Sequence, residues 1–112
     1  MATGKKSQRI SLKDKRKLEK INPDTKQYIS KYKIDMSLRE LSGKTVEQYL
    51  YDLDQWLVFV YDNQYNQSVA ELTEDDINEF LFYCKQQGNN TNRMKRRMST
   101  LSAFYQFMRR KR

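Results

Sequence analysis

Apolar residues recur along the chain at intervals of three and four in four separate stretches, and each stretch opens beside a residue suited to cap a helix. The first follows Asn22-Pro23, an N-cap with proline in the first helical turn, and carries Tyr28, Ile29, Tyr32 and Met36 through about Leu41. Ser42-Gly43 interrupts it. Ser42 then caps a second stretch whose Val46, Tyr49, Leu50, Leu53, Trp56, Leu57 and Val60 share about a third of the helix circumference. The polar run Asp62 to Ser68 closes this helix, and Val69, Ala70 and Leu72 form a short apolar connector. Thr73 and Asp76 have capping-box spacing, with Glu74 and Asp75 adding negative charge at the positive end of the dipole. Ile77, Phe80, Leu81 and Cys84 line this third helix, and Gly88 is placed to stop it in a left-handed C-cap. Asn89, Asn90 and Thr91 turn the chain. A fourth helix runs from about Asn92 with Met94, Met98, Leu101, Phe104, Tyr105 and Met108 on one stripe.

The pattern predicts an all-α domain of four helices around one core, spanning residues 22–112. The scarcity of turn formers, 3 Gly and 1 Pro in 112 residues, agrees. Residues 1–21 are Lys-rich and lack aromatics, so they read as a basic flexible tail. Its stretch from Ser11 to Ile21 is capable of a frayed helix through Leu12, Leu18 and Ile21.

Composition narrows the chemistry. The net charge is +8, the pI about 9.6 and the mean hydropathy -1.00. No apolar run approaches the ~20 residues that a membrane span requires, and the first residues lack the apolar core of a secretory signal. With no His and with Cys84 as the one cysteine, zinc fingers, disulfide scaffolds and His-dependent catalytic sites each lose a required part. No catalytic residue, metal or cofactor is expected. A reducing, cytoplasmic setting fits.

Charge distribution says more than the total. Residues 1–20 carry eight basic and two acidic side chains, residues 21–92 six and twelve, and residues 93–112 eight and none. An acidic middle between basic ends binds polyanions on particular surfaces rather than everywhere. Opposite its apolar stripe, the fourth helix displays Asn92, Lys95, Arg96, Ser99 and Thr100, with Arg93 and Arg97 at the border. Arg forks match guanine or phosphate, Asn matches adenine, and hydroxyls and Lys hold phosphates. A merely solvated face is the plainer alternative, but eight cations without a neighbouring carboxylate favour nucleic acid. Arg97 is also long enough to cover the core with its stem. On the second helix Lys44, Gln48, Tyr51 and Gln55 face outward, with Thr45 in the first turn, where free backbone amides can receive a phosphate.

Other signals have simpler explanations. Gly43-Lys44-Thr45 lacks the earlier glycine of a phosphate-binding loop, since Leu38 stands there. Glu74, Asp75 and Asp76 are explained by helix capping rather than by a cation. The tyrosines fall mostly on apolar stripes, and Cys84 reads as a small buried hydrophobe.

The run Leu41-Ser42-Gly43-Lys44-Thr45, then Tyr49, Asp52-Leu53 and Trp56-Leu57, resembles the start of the core-binding, SAM-like domain of phage integrases, the tyrosine recombinases. The likeness continues through Glu71-Leu72-Thr73, Asp76-Ile77, Phe80-Leu81, Thr91, Arg97-Met98-Ser99, Leu101 and Phe104-Tyr105, and spans about Pro23 to Met108. The resemblance implies a four- to five-helix SAM-like orthogonal bundle that clamps the double-stranded DNA of a recombination site alongside other recombinase protomers. It places Lys44, Thr45, Gln48, Asn92, Arg93, Lys95, Arg96, Ser99 and Thr100 at the DNA. It also implies that the catalytic Arg, Lys, HxxR box and Tyr nucleophile lie in a domain following Arg112, so this chain is not itself an enzyme. The isolated chain is expected to be monomeric. Two alternatives remain open at this point: a helical interaction module for an acidic protein partner, and a repressor-like DNA binder that works alone as a dimer.

Overall fold

The computed structural model describes residues 12–111. Among these residues five α-helices follow one another: α1 (Leu12–Glu19), α2 (Pro23–Leu38), α3 (Gly43–Asn63), α4 (Glu74–Gln86) and α5 (Thr91–Arg110), with a 3-10 turn at Val69–Glu71. The helix ends obey the capping chemistry. Asn22 accepts from the Asp24 amide, Ser42 from Thr45, and Asn90 from Arg93. Thr73 and Asp76 complete a reciprocal capping box. At the far end of α4, Gly88 adopts φ +92°, and the amides of Gly88 and Asn89 return to the carbonyls of Lys85 and Cys84, a Schellman closure.

α5 touches α2, α3 and α4, so it is the strut on which the bundle is assembled. Its Phe104 is fully enclosed, edge-on to Tyr32 of α2 at 5.3 Å and to Trp56 of α3 at 5.8 Å, while Phe107 stacks at a tilt on Tyr32. A second aromatic group, Phe59, Phe80 and Tyr83, joins α3 to α4. Tyr105 donates its hydroxyl to the Val69 carbonyl at 2.7 Å and so ties α5 to the 3-10 turn.

Several expectations need correction. The helix expected to reach Leu41 ends at Leu38, because Glu40 takes φ +56° and breaks the repeat. Met98, expected on the apolar stripe of α5, is 52 % exposed, and Phe107 is buried instead. The other expected stripe members hold their places: Leu101, Phe104 and Met108 are buried, and Met94 and Tyr105 are partly buried against the core. The largest difference concerns residues 12–21, expected to belong to the basic tail. Here α1 lies against α3, Lys17 pairs with Asp62 at 2.8 Å, Leu18 packs on the core and Ile21 is buried. Asn66 explains the docking. In left-handed backbone at φ 50°, it accepts from the Asn22 amide and donates to the Lys20 carbonyl, both at 3.0 Å. The remainder of the expected tail, residues 1–11, and the suggested cap Ser11 lie outside the described residues.

Candidate nucleic-acid interface

The contact between α3 and α5 contains a buried carboxylate. Asp52 is 3 % exposed and sits within the apolar stripe of α3, between Tyr49 and Trp56 in sequence. A lone carboxylate there would be costly, so it is compensated from α5. Arg96 approaches it side-on, with Nε donating to Oδ2 and NH2 to Oδ1, each at 3.1 Å. The Thr100 hydroxyl donates to Oδ2, also at 3.1 Å. Buried Arg97 adds its charge at 3.9 Å, donates through Nε to the Asn89 side chain at 2.6 Å, and lies over the Phe80 ring. Two arginines around one carboxylate leave this seam with a surplus positive charge.

The expected residues distribute themselves around the seam. On α3, Lys44, Gln48 and Asp52 follow at four-residue intervals, so they climb one side of the helix over ~12 Å with a drift of ~80°. The Arg96 guanidinium is tied to Asp52, the last of that series, and Lys44 at its start is exposed. Gln48 is half-buried between them, beside a shallow cavity of about 320 Å³ also lined by Lys44, Thr45 and Tyr49. On α5, exposed Asn92, Lys95 and Ser99 occupy the outward sector next to Arg96.

Three members of the expected set are placed differently. Thr100 was assigned to the outward face but is 1 % exposed and committed to Asp52, so it is unable to meet a ligand. A wheel sorted by polarity alone sends a threonine outward; a carboxylate across the interface draws it in. Arg93 is half-buried, close enough to α4 for its charge to act on the Cys84 thiol. Burial pushes that thiol above its ordinary value, while Arg97 and Arg93 pull it the other way. Thr45 spends its amide on the Ser42 hydroxyl at 3.1 Å and accepts that hydroxyl's proton at 2.9 Å, so its amide is not free for an anion. Asp52 was missed as a functional candidate. An acidic residue inside an otherwise apolar stripe was the available signal, matched by Arg97 and Thr100 on the buried side of the facing helix.

The described residues therefore form an all-α bundle in which one interhelical seam carries excess cations. The sequence matches the family described as phage integrase, N-terminal SAM-like domain, over residues 25–112. The chain belongs to that family, and the all-α SAM-like fold follows with it. It is 31 % identical over 70 residues to the tyrosine recombinase XerD of Oceanobacillus iheyensis, covering 62 % of this chain and 24 % of that protein. It is 25 % identical over 91 residues to the tyrosine recombinase XerD of Halalkalibacterium halodurans, covering 81 % of this chain and 29 % of the relative. A putative tyrosine recombinase of Caldanaerobacter subterraneus is 29 % identical over 70 residues, 62 % of this chain and 23 % of that protein. The chain thus spans about a quarter of the length of these curated relatives. No solved structure matches it significantly. Among the described residues no helix is long and apolar enough to cross a membrane, and no group of His, Cys, Asp or Glu could hold a metal ion.

Proposed function

We propose that this domain grips double-stranded DNA across the α3–α5 seam, as the core-binding portion of a site-specific tyrosine recombinase acting in DNA integration or recombination. Lys44 and Gln48 reach the duplex from α3, and Asn92, Lys95, Arg96 and Ser99 reach it from α5. Most contacts go to phosphates, with limited base reading by α5. Catalysis belongs to other parts of the recombinase, and this domain acts in the cytoplasm on the cell's DNA. The observation that supports the reading is the tie between Arg96 and Asp52, which joins the basic stretch of α5 to the helix that carries Lys44.

A second surface suits contact with another recombinase protomer. Ile34 and Leu38 of α2 are 61 % and 78 % exposed beside Lys111, ~22 Å along α5 from Arg96. An apolar surface remote from the seam leaves the duplex accessible while protomers assemble.

Salt dependence tests the reading. Neutralising ~5 phosphates gives a plot of log affinity against log salt with a slope near -4.5. A flat response in a duplex titration rejects phosphate gripping and returns the protein-interaction alternative. Self-association at micromolar concentration would return the repressor-like one.

A further inference from the structure

We propose that Asp52 is a positioning residue for DNA contact: from its buried place between α3 and α5 it clamps one edge of the Arg96 guanidinium and presents the opposite edge as a fixed fork for a backbone phosphate. The proposal rests on the DNA-gripping function above and adds to it an acidic residue that charge alone would count against binding.

A free surface arginine samples many rotamers, and a phosphate must freeze one of them before it gains a paired contact. Arg96 is already frozen. Its two bonds to Asp52, both 3.1 Å, fix the plane of the guanidinium as well as its direction. Side-on engagement consumes Nε and one side of NH2 and leaves NH1 and the far side of NH2 directed away from the carboxylate. The side chain keeps 29 % exposure while that of Asp52 keeps 2 %. The clamp is itself held in place, since Thr100 donates to the same Oδ2 that receives Arg96. An isolated pair would cancel its own charge, but Arg97 at 3.9 Å restores a formal +1 to the cluster. The fork is therefore both ordered and attractive to an anion. Gln48 one turn away on α3, and Asn92 and Ser99 on α5, border it.

Clamping and masking predict opposite signs. Were Asp52 only a competitor for Arg96, its neutralisation would release the arginine and tighten DNA binding. Under the clamp, Asp52→Asn weakens binding although it makes the surface more positive.

The test is a double-mutant cycle on the whole chain, read by anisotropy with a fluorescein-labelled duplex of mixed sequence about 20 base pairs long, roughly two helical turns. Asp52→Asn and Arg96→Ala are each expected to weaken binding about fivefold, and the double variant to be no weaker than either one. Tighter binding by Asp52→Asn overturns the proposal. Additive losses overturn it too, because a carboxylate that merely supports the fold would matter with or without Arg96. Thr100→Val provides a second route that leaves every charge in place, and it carries the test should Asp52→Asn fail to fold. A loss of about twofold that vanishes in the Arg96→Ala background is expected. A loss that persists there overturns the clamp. Failure of the wild-type chain to bind the duplex sinks the DNA function and the proposal together, whereas duplex binding with an additive cycle sinks the proposal alone.

Discussion

Two polar clusters are built into this small bundle, and they differ in what they leave over. At the end of α3, Asn66 closes its own accounts. Its amide donates to the Val60 carbonyl, its carbonyl accepts from the Asn22 side chain, its Oδ1 accepts from the Asn22 amide, and its Nδ2 donates to the Lys20 carbonyl. Every hydrogen-bonding group is consumed in holding α1 and the start of α2 to the loop after α3. Around Asp52 the count does not close. Two guanidiniums and a hydroxyl converge on one carboxylate, and Arg97 NH1, fully buried, makes no hydrogen bond among the described residues. Asp52, Arg97 and Thr100 are buried whereas Asn66 is half-buried, yet the deeper cluster is the one with donors left over: a saturated cluster fixes the fold, and a cation-rich one also has something to offer a ligand.

The sharpest way to break this contrast is to remove the centre of each cluster. Asp52→Ala should cost about 3 kcal/mol in urea denaturation, because it strands Arg97 without its counter-charge. A cost below half that value would mean that the arginines find water instead. Asn66→Ala should cost about 2 kcal/mol, from two lost side-chain bonds and an alanine forced to positive φ. Its duplex affinity should match wild type; a drop would make the knot part of the interface.

A third polar group, half-buried, has neither kind of company. Asp54 borders a cavity between α1, α2 and α3 with Lys26, Ser30 and Lys33, and burial pushes its carboxyl up to about 6, offset in part by the Lys33 charge. A carboxyl raised on folding takes up a proton as the chain folds, so the wild type loses stability as pH rises from the ordinary 3.8 toward about 6. Asp54→Asn should therefore stabilise the domain by about 1 kcal/mol at neutral pH, once solvent screening is allowed for, and by nothing below the lower limit of that window. Thermal melts at three pH values show whether the gain vanishes on acidification.

Smaller effects belong to the outer surface. Lys95→Ala should lower the salt slope of duplex binding by about 0.9 and weaken binding a few-fold at moderate salt, without changing the melting temperature. Glu74→Ala, on the exposed first turn of α4, should leave duplex binding within error of wild type. Equal losses for Lys95→Ala and Glu74→Ala would place the interface elsewhere.

Local chemistry made much of this legible in advance. Caps at Asn22, Ser42 and Thr73 and the stop at Gly88 are signalled by residues within a few positions of one another, and the α3 stripe from Val46 to Val60 needs nothing but helical period to be recognised. Exposed cations such as Lys44 and Lys95 were equally readable, because a charge with no partner in its own sequence neighbourhood defaults to solvent. Thr100, Arg96 and Met98 were not readable on the same basis. Their orientation depends on a residue 44 to 48 positions away, or on which neighbour an edge of the stripe happens to meet. The docking of α1 was hidden for a related reason: a short Lys-rich helix has too little apolar surface to order itself, and Asn66, far along the chain, supplies what it lacks.

The amino-acid sequence by itself determined the helices, their caps, the single core and the concentration of positive charge at the ends of the chain, since each of these is set by neighbours along the backbone. Only the tertiary structure decided that Asp52 would meet Arg96 and Thr100, and that α1 would be held down against α3. Those pairings are contacts between distant segments, and their free energy exists only once α3 and α5 have been brought side by side.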